Sequence, residues 1–199
     1  EARDRIGDRL RRTPTWRSDS LSRHCGRTIL LKAEYLQRTG SFKPRGALNL
    51  LATLPPEVHE IVAASAGNHA QGVALAAGFT DRHATVFMPV TASLPKVQAT
   101  RDYGAEVILE GATVDDAIGL AKARAEATGA VFASPFDHPL VIAGQGTVGL
   151  EIAEDAPEVE AVVVPVGGGG LISGVATALH ALAPATRVVG VQAEGAACL

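Results

Sequence analysis

Three short segments of this chain hold the residue types from which a reactive centre is built. The first is Thr39-Gly40-Ser41-Phe42-Lys43-Pro44-Arg45-Gly46, in which Pro44 suits a first helical turn and Ser41 suits an N-cap. Lys43 then stands at the positive end of a helix, which disfavours its ammonium form and favours the neutral amine that a Schiff base requires. The residues alone leave open a surface lysine that lays its stem along the helix. Lysine is scarce, however: Lys32, Lys96 and Lys122 are the other three.

The second segment is a run of four glycines, Gly167, Gly168, Gly169 and Gly170, followed by Leu171. An apolar stretch precedes it and a helical pattern follows, so bare N–H groups and a positive helix end surround a space that no Cβ blocks. A single phosphate is the natural ligand, and a tight turn packed on a neighbouring backbone is the alternative. Walker A is excluded because Gly174 is followed by Val175 and Ala176 instead of Lys and Ser/Thr. The dinucleotide fingerprint is not matched either, since its third glycine would fall on Ile172 or Ser173, which leaves NAD as an alternative behind the single phosphate. The third segment, Ser65-Ala66-Gly67-Asn68-His69-Ala70-Gln71-Gly72, lies where a strand hands over to a helix; with Asn68 as N-cap it offers several N–H donors, a seat for a carboxylate or merely a capped turn.

Periodicity supplies the elements that must position these segments. Strand patterns fall at 29–32, 61–64, 84–88, 106–109, 131–133, 161–166 and 187–192, with helical patterns at 42–54, 69–77, 94–103, 114–128, 141–155 and 171–182. The alternation predicts successive βαβ units, an α/β fold of parallel sheets with covering helices. The run 161–166 is continuously apolar, as buried central strands are. No Asp, Glu, Lys or Arg occurs from 161 to 186, but Pro165 and the glycine run cut that stretch into pieces too short to cross a membrane.

Composition narrows the classes further. With 199 residues, 47% hydrophobic and 20% charged, the chain has enough apolar material for a core and is far from disorder. A net charge of -3 gives no general attraction to phosphate backbones or acidic membranes, so neither nucleic acid nor membrane is expected as a partner. Eight arginines precede Thr28, but Glu1, Asp4, Asp8 and Asp19 are interleaved with them, which predicts a solvated face. Cys25 and Cys198 lack metal or redox spacing and fit a reducing, cytoplasmic compartment. The six histidines show no metal-ligand spacing, so no metal is expected, and Ser93 with Lys96 matches S-x-x-K without the K-T-G that should accompany it. The single methionine is Met88, and the last strand pattern has no covering helix after it; both read as signs of a chain excised from a longer one.

Taken in order, these segments resemble the pyridoxal-phosphate enzymes of fold type II, the tryptophan synthase beta-like fold, and within it the threonine/serine dehydratases (ammonia-lyases). The likeness also runs through Lys32-Ala33-Glu34-Tyr35-Leu36-Gln37, Lys96-Val97-Gln98-Ala99-Thr100-Arg101, Tyr103-Gly104-Ala105-Glu106-Val107 and Ala143-Gly144-Gln145-Gly146-Thr147. The resemblance implies pyridoxal 5'-phosphate as cofactor, carried on Lys43, with Phe42 near its ring and Asn68 bonded to the ring hydroxyl. It implies Gly167, Gly168, Gly169, Gly170 and Leu171 at the cofactor phosphate, and Ser65, Ala66, Gly67, Asn68 and His69 at the substrate carboxylate. A large cofactor domain of residues 1–58 and 139–199 would enclose a small inserted domain of 59–138, in a homo-oligomer acting on a small amino acid. Members of the family continue beyond Leu199.

The implied reaction converts L-threonine or L-serine to a 2-oxo acid and ammonia, with Lys43 as the base at Cα. Serine racemase, threonine synthase, another hydroxy amino acid lyase, and a non-catalytic phosphate-binding domain are the alternatives. In the resembling racemases a serine directly before Gly-Asn-His serves as a second acid/base; here that position is Ala66, which carries no proton to give. Ser65 matches a different position, and its hydroxyl is expected to point elsewhere.

Overall fold

A computed structural model describes residues 1–197 of the chain; Cys198 lies outside them. A parallel sheet with strand order β5-β4-β3-β6 is formed by β3 (Glu60–Ala64), β4 (His83–Met88), β5 (Glu106–Leu109) and β6 (Val131–Phe132). Helices α4 (Asn68–Phe79), α5 (Leu94–Asp102) and α6 (Val114–Thr128) connect them. The two-residue period of a strand sorts the side chains of this sheet to opposite faces. Ile61, Ala63, Val86 and Met88 pack with Ala70, Val73, Ala74 and Ala77 of α4. Val62, Ala64 and Phe87 pack on Ala117, Ala121 and Ala125 of α6, which recur every fourth residue and so share one helix face. A capping box between Thr113 and Asp116 starts α6, and Gly129 in the left-handed conformation ends it.

Helix α3 (Lys43–Leu51) lies across the other side of α4 and against the long helix α7 (Pro139–Asp155). Eight of its residues are buried, among them Leu48 and Leu51, each contributing about 1.5–3 kcal/mol of burial free energy. The approach of α3 to α4 is closest at Gly72, where a Cβ would stand 3.1 Å from the Lys43 carbonyl carbon and the Pro44 nitrogen. A side chain there would push the first turn of α3 off α4 by a few tenths of an ångström.

Two smaller sheets complete the chain. An antiparallel ribbon pairs β1 (Thr15–Arg17) with β2 (Leu30–Lys32), and α2 (Asp19–Cys25) spans the gap between them. Strands β7 (Ala161–Pro165) and β8 (Arg187–Val191) run parallel, joined by α8 (Gly170–Leu182). The apolar run at 161–166 forms β7, whose one described partner is β8. Val162, Val164 and Val188 pack with Val148, Ile152, Val175 and Leu179 of α7 and α8, but Val163 is 65% exposed on the opposite face, with Val189 and Val191 beside it.

The arginines near the N-terminus also depart from a plain solvated face. Preceding β1, helix α1 (Ala2–Ile6) brings Arg3 to Glu154 at 2.6 Å, and Arg12 reaches both Glu154 at 2.6 Å and Asp155, so part of the cluster fastens the N-terminal segment to the end of α7. Among the described residues no helix is long and apolar enough to cross a membrane.

Candidate active site

Both α4 and α8 follow the C-terminal ends of parallel strands, the edge at which open α/β sheets bind ligands. A cleft of about 360 Å³ opens there, bounded by Phe42, Lys43, Pro135, Phe136, Gln145 and the glycine turn from Gly167 to Gly170 with Leu171. A roomier depression of about 490 Å³ beside Thr177 and His180 has neither a lysine nor a glycine turn, and the chemistry belongs to the smaller cleft.

Lys43 lies at the N-terminal end of α3, as the sequence suggested, but it is the first residue of the helix and Ser41 does not cap it. Phe42 occupies the N-cap position without a side-chain bond, and the hydroxyls of Thr39 and Ser41 are buried with no hydrogen-bond partner in the structure. The Lys43 ammonium donates to the Pro135 carbonyl at 2.6 Å and lies 5.4 Å from the centre of the Phe42 ring. Burial pushes its pKa down to about 8. The amine is therefore far closer to neutrality at physiological pH than an ordinary lysine.

The turn that holds Lys43 is fixed from behind by Arg45. Its guanidinium, 2% exposed, grips Glu34 through Nε at 2.9 Å and Nη2 at 2.8 Å, and Glu151 of α7 through Nη1 at 2.6 Å and Nη2 at 3.0 Å. Lys32 adds a second cation to Glu151 at 2.7 Å. Two bidentate pairs on one planar group fix both position and angle, which a lysine in its place would not do.

The glycine turn is shaped for a group that approaches its backbone. Gly169 is the N-cap of α8 with φ 84°, in the left-handed region that favours glycine. At Gly168 a Cβ would overlap the Phe136 ring, and at Gly170 it would lie 2.8 Å from the Phe136 carbonyl oxygen. The turn is thus closed on one side by Phe136 and bare toward the cleft, and the thirteen-residue helix behind it directs its positive end there. A phosphate fits this cradle.

The third segment lies next to Lys43, on α4, although it does not line the cleft itself. Gly67, not Asn68, is the N-cap of α4; Asn68 is its first residue, with an exposed side chain. The Ser65 hydroxyl accepts from the Gly67 amide at 3.1 Å, which turns it into its own loop, as expected. With no side chain capping α4, the amides of its first turn have no acceptor within the helix. His69 stands apart from its neighbours: its ring is 4% exposed and its Nε2 lies 2.9 Å from the Ala133 carbonyl oxygen. Its pKa is lowered to about 4, first by burial and then by the charge of Lys43.

Sequence reasoning missed the strip that leads from β6 into α7. There the Ser134 hydroxyl accepts from the Asp137 amide at 3.1 Å, and the His138 ring accepts from the Leu140 amide at 3.2 Å. This places the Pro135 carbonyl on Lys43 and Phe136 on the glycine turn. Gln145, which its residue type did not single out, lines the cleft from α7 while its carbonyl accepts from the Gly46 amide at 3.2 Å.

A buried, partly neutral lysine facing a glycine turn at the ends of parallel strands defines a protein that holds a phosphorylated carbonyl cofactor. Residues 6–199 match the family described as pyridoxal-phosphate dependent enzyme, and the chain belongs to that family. It is 55% identical over 196 residues to an L-threonine ammonia-lyase of Thermotoga maritima, covering 98% of this chain and 49% of that protein. Thus the chain spans about half the length of that relative. A solved threonine deaminase from T.th. superposes with a TM-score of 0.91 at 47% identity, covering 97% of this chain and 63% of the other. Maize serine racemase is similar in fold, TM-score 0.93, at 38% identity over 98% of this chain and 60% of the other.

Proposed function

We propose that the protein carrying this chain is a pyridoxal-phosphate-dependent lyase that converts L-threonine, and L-serine alongside it, to a 2-oxo acid and ammonia. The carrying observation is the Lys43 amine, its pKa lowered to about 8 by burial in a cleft that faces the bare glycine turn. Gly167, Gly168, Gly169, Gly170 and Leu171 would hold the cofactor phosphate, Phe42 would border the ring, and Asn68 would reach its hydroxyl. When bound, the cofactor draws away the electron pair released at the substrate Cα.

The residues of the chain supply binding and proton traffic. The first-turn amides of α4, offered by Asn68 and His69 and set by the turn of Ser65, Ala66 and Gly67 before them, seat the substrate carboxylate beside Lys43. The Lys43 amine takes the Cα proton, which a lysine held about pH 8 does far more readily than one near 10.5. Proton return to the departing β-hydroxyl completes the loss of water, and hydrolysis of the released enamine gives 2-oxo acid and ammonia. Racemisation requires a second proton carrier on the far face of Cα; Ala66, at the position that would supply it, has only a methyl group.

The same reading takes residues 1–58 with 139–199 as the cofactor domain and 59–138 as a smaller inserted one, in a cytoplasmic homo-oligomer. Supporting the division, the four-stranded sheet draws its strands only from residues 60 to 132. The test is to incubate the full-length protein and cofactor with L-threonine and with L-serine and assay 2-oxo acid and ammonia. Equal molar yields of the two products are expected, and no 2-oxo acid from either substrate at saturating cofactor would remove the lyase reading.

A further inference from the structure

His69 belongs to the segment assigned to the substrate carboxylate, yet its ring is turned away from that task. A carbonyl oxygen only accepts, so at 2.9 Å from the Ala133 oxygen the His69 Nε2 must be the donor. With burial holding the ring neutral, that donor makes it the Nε2–H tautomer. The ring is 4% exposed, on the same short stretch of α4 that packs beneath the first turn of α3. Lys43 is the charged group that bears on it, and a second cation beside that ammonium would be repelled.

What the bond holds is the missed strip. Ala133 begins it, its own amide donating to the Val62 carbonyl at 2.8 Å, so its carbonyl must find a donor on the other side. Two residues on, the Pro135 carbonyl receives the Lys43 amine at 2.6 Å; one further, Phe136 closes the glycine turn. Between the anchor at Ala133 and the start of α7, no residue of the strip belongs to a strand or helix.

We infer that His69 is a positioning residue: its Nε2–H bond to the Ala133 carbonyl holds the 133–136 strip over Lys43 and the glycine turn, and the carboxylate is left to backbone amides of α4. This rests on the lyase reading for its kinetic arm. Its other two arms do not require turnover, so they separate failure of this assignment from failure of that one.

The experiment uses the full-length protein with His69→Leu, which removes the donor, and His69→Gln, whose amide restores one at similar reach. For His69→Leu, kcat falls roughly 10–100-fold, the cost of a small misplacement near the reacting atoms, while KM stays within about threefold of wild type. His69→Gln recovers most of that loss. In the cofactor-free protein, the pH midpoint for acylation of Lys43 rises in His69→Leu above the wild-type value of about 8, because a loosened strip admits water to the amine. The wild-type ring, read by the ¹⁵N spectrum of labelled histidine, stays a neutral Nε2–H tautomer at about pH 5.5, well above its lowered pKa, and is unchanged by glycine as a carboxylate probe; this arm stands even where His69→Leu does not fold. A KM increase of about tenfold or more at unchanged kcat overturns the assignment, as does a wild-type midpoint and kcat in His69→Leu. So does a ring that protonates near the ordinary histidine value of about 6.5 or shifts on adding glycine.

Discussion

Replacing Gly167 by alanine separates ligand binding from folding more cleanly than any other change in the glycine turn. At Gly168 a new methyl overlaps Phe136, and at Gly169 it must adopt φ 84°, a left-handed conformation costing about 1–2 kcal/mol, so either change disturbs the protein with no ligand involved. At Gly167 a Cβ would meet no atom of the described residues within 4 Å, and the backbone is outside the left-handed region. Gly→Ala at such a position is expected to leave stability unchanged or raise it by about 0.4–1 kcal/mol through the unfolded chain. If the cofactor phosphate rests on these amides, however, a methyl at this lining residue that hinders its approach forfeits at least one charge-assisted hydrogen bond, about 1.5–3 kcal/mol. That corresponds to roughly 10–150-fold weaker cofactor binding. The assay is titration of full-length apoprotein with pyridoxal phosphate, followed by absorbance, beside thermal melts of the same apoprotein. Unchanged affinity with an unchanged melting temperature would refute the placement of the phosphate on this turn.

Lys43 in the apoprotein should acylate with a midpoint near pH 8, measured by pH-dependent labelling and peptide mapping; a midpoint near 10.5 would show that burial does not act on it. For the same reason the unfolded chain binds more protons at this site between about pH 8 and 10.5, so Lys43 makes the apoprotein gain stability as pH rises through that window, visible in Lys43→Met as a flatter urea-stability profile. Arg45→Met takes the guanidinium from the partly buried Glu34 and leaves the buried Glu151 with Lys32, and should cost about 3–5 kcal/mol in urea unfolding; a loss below about 1 kcal/mol would mean that the network contributes little. Ala66→Ser should raise racemisation of L-serine from a low base without abolishing 2-oxo acid formation, followed by chiral chromatography; D-serine formed by the wild type as fast as pyruvate contradicts the lyase reading.

The parallel βαβ core was legible because each element carries its own periodicity. Ala117, Ala121 and Ala125 show the helical spacing of α6, and Ile61 to Ala64 form an apolar run of strand length. The ribbon was not legible at β1: Thr15, Trp16 and Arg17 are too short to show a period, and they form a strand because β2 offers partners. Capping failed at two places for the same reason. Ser41 and Asn68 have the right chemistry for an N-cap, but the chain enters each helix one residue away from them. Lys43 and the glycine turn were visible because residue type alone restricts what they can do. Pro135 was not, since its contribution is a backbone carbonyl, which every residue has; the only clue nearby was Phe136, one of five phenylalanines in the chain. His69 was visible as part of a motif, but the direction of its ring depends on a residue 64 positions later.

The central claim is that Lys43 carries the cofactor, and reduction followed by mapping tests it directly. Full-length protein loaded with pyridoxal phosphate is treated with borohydride, digested, and searched for the pyridoxyl-lysine peptide. The account predicts a single label on Lys43, with loss of the visible absorption, and no label when Lys43 is replaced by alanine in a protein that still folds. A label on Lys32, Lys96 or Lys122, or on a lysine beyond this chain, with Lys43 unmodified, would contradict it.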